Sequence, residues 1–225
     1  MTHPTQHPSP QVPTVDVTAI VVTRGATPFL PTTLAAVGSS TLAPRRLVVV
    51  DVAPRDKDRA ELPDRLEPDG LAITTLHEPD ADTFGEAVSA AIAHLTGEPV
   101  PDTGRRQRRP SPARDAAAPD MTRDGWLWLL HDDSPPEPGA LDALVRAVEH
   151  KPSVVIAGAK QRDLDNPTRL LEVGLTTSPT GERMTGIEEG EVDQGQHDGA
   201  EDVLAVGLAG ALVSLDAWRT LGGTD

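Results

Sequence analysis

The 225-residue chain has no cysteine and no tyrosine, only three lysines, and 2% aromatic residues in all. Without cysteine there can be no disulfide scaffold and no thiolate-ligated zinc or iron–sulfur centre. No stretch approaches the roughly 18 consecutive apolar residues of a membrane-spanning helix. A stacking platform for bases or sugars would have to rest on Trp126, Trp128, Trp218, Phe29 or Phe84. Positive charge is also short. Thirty-five acidic against 20 basic residues leave a net charge of −15, a field that repels polyanions and argues against nucleic-acid binding. Neither G-x-G-x-x-G nor G-x-x-x-x-G-K-[ST] occurs, so a dinucleotide-dependent oxidoreductase and a P-loop nucleotidase are excluded. Residues 1–16 lack the basic and apolar segments of a signal peptide and read as a flexible leader. Cytoplasm is the expected compartment, with membrane association of a longer protein left open.

What is present is an alternation of apolar runs and helical periodicities. Val17 to Thr23 is a continuous β-branched run, the pattern of a strand buried on both faces. Thr27-Pro28 then opens a helix marked by Leu30, Leu34 and Val37, with Gly38 as its stop. Leu47–Val52 and Leu71–Leu76 read as the second and third strands, and Phe84, Ala87, Val88, Ala91, Ile92 and Leu95 mark one face of a helix ending at Gly97. From residue 98 to 124 periodicity fails, and a mobile surface insertion is expected. Its Arg105, Arg106, Arg108 and Arg109 read either as a solvated loop or as contacts to an anionic lipid or polymer. Gly125–Leu130 is a fourth strand, followed by a helix from Pro138 with Leu141, Leu144, Val145 and Val148 in phase, and Val154–Ala159 a fifth. This alternation predicts a single α/β domain over residues 17–225 with a mainly parallel central sheet flanked by helices. Short strands around Arg169–Val173, Gly174–Ser178 and Glu182–Thr185 predict a small antiparallel element in the last third. An acidic loop, an apolar stretch from Val203 to Leu215 and a final helix follow. The chain ends at Gly222-Gly223-Thr224-Asp225, which reads as a cut within a longer domain.

In an open parallel sheet, ligands collect beyond the carboxyl ends of the strands. Those ends carry Thr23-Arg24, Asp51, Glu78 with Asp80 and Asp82, and His131-Asp132-Asp133. Convergent carboxylates repel one another unless a cation joins them, and Mg²⁺ typically takes one or two carboxylates together with substrate phosphates. Such a rim suits a nucleotide diphosphate. Other readings stand beside this one. Asp51 also fits a turn cap, Thr23 and Arg24 fit turn and surface positions, His131 fits an ordinary strand end, and the tryptophans fit the core.

The order of Val17–Arg24, Leu47–Asp51, Leu71–Glu78, Phe84-Gly85 and Trp126–Asp133 resembles the donor half of family 2 glycosyltransferases of the GT-A fold. The resemblance implies that Thr23 and Arg24 lie near the nucleotide base and that Asp51 contacts the base or ribose. It implies that Asp82-Thr83-Phe84-Gly85 leads into a helix beneath the nucleotide, and that His131-Asp132-Asp133 stands for the DXD-type motif. Asp132 is then the sugar or nucleotide contact and Asp133 the metal ligand, for Mg²⁺ or Mn²⁺. His131, where an Asp is commonest, is a weaker second ligand. The implied activity is inverting transfer of a hexosyl or related sugar from a nucleotide-diphospho-sugar to the hydroxyl of a glycan or lipid-linked acceptor, in polysaccharide or cell-envelope synthesis. The family's catalytic base lies downstream of a Gly-Gly-x-Asp stretch, which places it beyond Asp225. Glu201, Asp202 and Asp225 are candidates by charge alone. The competing class is a catalytically inactive module of the same fold that serves as a scaffold.

Overall fold

The computed structural model describes residues 15–56, 61–66, 70–98, 125–199 and 202–224. Residues 1–14 of the expected leader, residues 99–124 of the expected insertion, Glu201 and Asp225 lie outside these. In the described residues the chain runs β1 (Val17–Thr23), α1 (Leu30–Gly38), β2 (Arg46–Asp51), β3 (Arg65–Leu66), β4 (Leu71–His77), α2 (Phe84–Thr96), β5 (Trp126–His131) and α3 (Ala140–His150). It continues through β6 (Ile156–Ala157), β7 (Gln161–Arg162), β8 (Leu170–Glu172), β9 (Thr176–Thr177), β10 (Arg183–Met184), β11 (Leu212–Ser214) and α4 (Leu215–Leu221).

Seven strands form the central sheet in the order β3-β4-β2-β1-β5-β11-β6. β4, β2, β1 and β5 are parallel, whereas β3 and β11 pair antiparallel with their neighbours in that block, and β6 with β11. Both faces of the block are covered. On one face Ile20, Val22, Val48, Val50, Leu127 and Leu129 pack with Ala87, Val88, Ala91, Ile92 and Leu95 of α2 and Trp218 of α4. On the other, Ala19, Val21, Leu47, Val49, Trp128 and Leu130 meet Leu30, Leu34 and Val37 of α1 and Leu141, Leu144, Val145 and Val148 of α3. Cover on both sides is why β1, β2 and β5 carry near-continuous apolar runs, buried on both faces instead of at alternate positions.

The helix ends follow local chemistry. In α2 the Thr83 hydroxyl accepts from Glu86 N (3.2 Å) while the Glu86 carboxylate accepts from Thr83 N, a reciprocal capping box, and Gly97 closes the helix at φ 70°. The helix expected from Thr27-Pro28 begins three residues later, at Leu30, with Pro31 in its first turn. Thr27 still contributes, since its hydroxyl accepts from Leu30 N at 3.3 Å. Asp16, assigned to the leader, is part of the fold. Its carboxylate pairs with Arg46 at 2.9 Å and its carbonyl accepts from Trp126 N.

The expected fifth strand shrinks to Ile156–Ala157, at the sheet edge and against antiparallel β11. Two features curtail it. Val155 and Ile156 are exposed, so no core face holds them, and Val206 lies so close to Gly158 that a Cβ there would sit 2.5 Å from it. The antiparallel element of the last third is present as two small sheets, β7 with β8 and the hairpin β9–β10. The hairpin turns at Pro179-Thr180-Gly181, where Ser178 N donates to Glu182 O (2.9 Å).

Candidate active site

The parallel register sets the ends of four strands level. Thr23 lies opposite Asp51, Asp51 opposite His77, and Val22 opposite His131. Thr23, Asp51, His77 and the His131-Asp132-Asp133 turn therefore share one rim of the sheet, the carboxyl rim where open parallel sheets take ligands.

Asp51 is buried at 1% exposure. Its Oδ1 accepts from Gly25 N and Ala53 N, both at 2.8 Å, which ties the loop after β1 to the loop after β2. The turn-capping reading of this residue is thus realised in its hydrogen bonds. Its Oδ2 lies 3.9 Å from Nδ1 of His77. Both ring nitrogens of His77 are buried without a hydrogen-bond partner among the described residues.

Asp132 is the most constrained residue of the rim. Its Oδ2 accepts from the hydroxyls of Thr23 (3.1 Å) and Thr27 (2.6 Å). Its carbonyl accepts from the hydroxyl of Thr33 (2.6 Å), and its N–H donates to Val22 O (3.1 Å). Sequence reasoning brought Thr23 to this place but missed Thr27 and Thr33. The available signal was Thr33, a hydroxyl in phase with Leu30, Leu34 and Val37 on the buried face of α1.

Asp133, the next residue, is exposed. The ring of His131 lies flat on Phe84, with centroids 4.3 Å apart and planes 8° from parallel, so only its edge nitrogens remain for ligation. The stack joins the end of β5 to the first residue of α2. Ser134 tightens the turn, its hydroxyl accepting from His131 N and donating to His131 O, both at 2.9 Å. Arg24 is exposed just past β1. Asp82, also exposed, precedes the capping box of α2, and its N–H donates to Glu86 (2.7 Å). Neither makes a hydrogen bond to the Thr23–Asp132 pair. Asp202, a candidate base by charge, is exposed; Glu201 and Asp225 are outside the described residues.

The end of the described chain also reaches the rim. A Cβ on Gly85 would sit 1.8 Å from the carbonyl oxygen of Thr224, so only glycine allows that backbone to lie on the first turn of α2. Among the described residues, no three His, Asp or Glu side chains gather as a metal cluster. The rim offers instead a pair of adjacent carboxylates, hard oxygen donors of the type that binds Mg²⁺ or Mn²⁺ jointly with phosphate oxygens.

A parallel α/β sheet with acids along its carboxyl rim is one class of protein, and the comparisons narrow it. The family model described as "Glycosyltransferase like family 2" matches residues 13–225, so the chain belongs to that family. With the sheet described above, this bears out the GT-A-type fold expected from the sequence. Among solved structures the chain is similar to the mannosyltransferase PcManGT from Pyrobaculum calidifontis, solved in complex with GDP-Man and Mn²⁺ (19% identity, TM-score 0.46, 95% of this chain and 49% of that one). It is also similar to S. aureus TarS (11% identity, TM-score 0.36, 72% of this chain and 42% of that one). The chain thus spans about half the length of the solved structures it matches, or less. No curated protein sequence matches it.

Proposed function

We propose that the chain is the donor-binding part of a metal-dependent glycosyltransferase. It would transfer a hexosyl or related sugar, with inversion, from a nucleotide-diphospho-sugar to the hydroxyl of a glycan or lipid-linked acceptor in polysaccharide or cell-envelope synthesis. The observation that carries this reading is the level placement of Thr23, Asp51 and His131–Asp133 at the ends of three adjacent parallel strands, in a chain of this family.

In this proposal the exposed Arg24 and Asp82 line the nucleotide side, and the buried Thr23 and Asp51 support it from beneath. Asp132, held by hydroxyls, is a fixed acceptor for a sugar or ribose hydroxyl. Asp133, exposed beside it, is the ligand for Mg²⁺ or Mn²⁺, with an edge nitrogen of His131 as a weaker second. Bound there, the cation would offset the negative charge that builds on the diphosphate as it leaves. Phe84 holds His131 in plane, and the Asp51 contacts to Gly25 and Ala53 fix the two loops that frame the base.

Titration calorimetry of the chain with UDP, GDP and dTDP, with and without Mn²⁺, tests the proposal. Metal-dependent heat with one of the three supports it, and no heat with any contradicts it. The stacked His131 in place of an acid favours, as the second reading, an inactive scaffold of the same fold. Asp133→Ala in a full-length version of the protein separates the two: a transferase loses its activity, whereas a scaffold keeps its role.

A further inference from the structure

We infer that Thr27 and Thr33 are positioning residues for donor binding, which make α1 the anchor that fixes both the carboxylate and the backbone of Asp132. The inference rests on the donor-site reading of Asp132 above and assigns a task to two residues that reading leaves unused.

The hydroxyl count supports it. Thr23 Oγ1 lies within donor distance of two acceptors, Gly25 O at 2.9 Å and Asp132 Oδ2 at 3.1 Å. A hydroxyl carries a single proton, so Thr23 serves one acceptor at a time and cannot hold the carboxylate alone. Thr27 has no such division. Its proton goes to Asp132 Oδ2 at 2.6 Å, while its oxygen accepts from Leu30 N at 3.3 Å. The first amide of α1, the Thr27 hydroxyl and the Asp132 carboxylate thus form one chain, with the anion at the positive end of the helix. Thr33, fully buried in the same helix, spends its proton on the carbonyl of Asp132 at 2.6 Å.

Side chain and peptide of Asp132 are therefore both tied to an element about 100 positions earlier in the chain. Oδ2 is occupied, leaving Oδ1 to meet a ligand, and Asp133 follows from a peptide whose orientation is already set. A misplacement of about 1 Å can cost on the order of 10²-fold in a reacting geometry, so an anchor outside the turn has a clear use.

The test compares Thr27→Val, Thr33→Val and Thr27→Ser with a control, Thr41→Val. The control removes a hydroxyl bond between the same two stretches of chain but away from Asp132, from Thr41 to Pro138 O at 3.0 Å. Two readouts are taken: the Kd for the nucleoside diphosphate that the unaltered chain binds with Mn²⁺, and the NMR order parameter of the Asp132 amide without ligand. Thr27→Val is expected to raise Kd about tenfold, the scale of one hydrogen bond to a charged group, and to lower the order of Asp132. Thr33→Val is expected to do likewise, and it carries the test if Thr27→Val does not fold. Thr27→Ser should stay within about twofold, because it keeps the hydroxyl, and Thr41→Val should change neither readout. If both valine variants bind as the unaltered chain does, or if serine is as weak as valine, the inference is overturned. If the unaltered chain binds no diphosphate, the donor-site reading fails, and the amide order then decides whether the anchor exists.

Discussion

The strands of the parallel block and the short strands β7 to β10 are held by different forces. β1, β2 and β5 are buried along nearly their whole length between two helical layers. β7, β9 and β10 are two residues each, with both residues of β9 and β10 exposed. Side-chain bonds do there what a core does in the block. Glu172, at 6% exposure, accepts from Gly207 N (2.7 Å) and from Arg183 (2.7 Å). Lys160 bridges Asp193 and Asp198, each at 2.8 Å. Glu191 accepts from Gln196 and from Glu188 N and faces His197 at 2.7 Å. Apolar burial is non-directional and tolerates pH, whereas hydrogen-bonded charge does not. The candidate donor site stands on the first kind of structure, and the region beside it on the second.

The sharpest break of this contrast is Trp128→Ala, which empties a fully buried position in β5. It is expected to cost about 3–5 kcal/mol of global stability by chemical denaturation. Trp128→Phe should cost well under half of that. The indole N–H has no partner among the described residues, so its loss removes no hydrogen bond there. Equal costs would mean that the indole is held by something other than packing.

Gly85→Ala comes next. The added Cβ, 1.8 Å from Thr224 O, must push the Gly222–Thr224 segment off α2. A cost of roughly 1–3 kcal/mol is expected, with faster proteolysis near Gly222 as the readout. Unchanged cleavage would separate that segment from the rim.

Glu172→Ala leaves the Gly207 N–H and Arg183 without their acceptor, at about 1–3 kcal/mol. The loss should be local. Hydrogen exchange should speed at Gly207 and in β8 while the amides of β1 and β5 keep their protection. Global loss would erase the distinction between the two regions.

The same contrast governs what could be read in advance. β1 was legible from end to end because a strand covered on both faces writes its burial into every residue, and α2 because Phe84 to Leu95 repeat at helical spacing and Gly97 stops them. The carboxyl rim was legible because strand ends in a parallel sheet are level by construction. The Asp132 anchor was not, because Thr27 lies 105 positions from its acceptor and nothing local to His131–Ser134 encodes it. The shortening of the fifth strand escaped for a like reason. Its Val155-Ile156 pair has the composition of a core strand, but it sits at a sheet edge, paired with the antiparallel β11, and both side chains are exposed.

The smallest effect concerns acid. Gln196 and the Glu188 amide, followed by His197, hold the Glu191 carboxyl at about 2, against an ordinary 4.5. A lowered value means that this group's contribution is complete above pH 4.5 and fades as pH falls toward 2. Gln196→Leu removes the largest cause, so the Glu191 midpoint should rise toward 4.5, as read by carboxyl NMR titration. A midpoint left near 2 would show that the Glu188 amide and His197 hold it without Gln196.

The most direct test of the donor rim is paramagnetic broadening by Mn²⁺ added with the bound nucleoside diphosphate. Amide signals of Gly25, Asp132, Asp133 and Ser134 should broaden first, while those of Lys160, Glu191 and Asp198 stay sharp, and Asp133→Asn should abolish the pattern. Broadening centred on the Lys160–Asp198 region, or unchanged by Asp133→Asn, would contradict a metal and diphosphate site at the ends of the parallel strands.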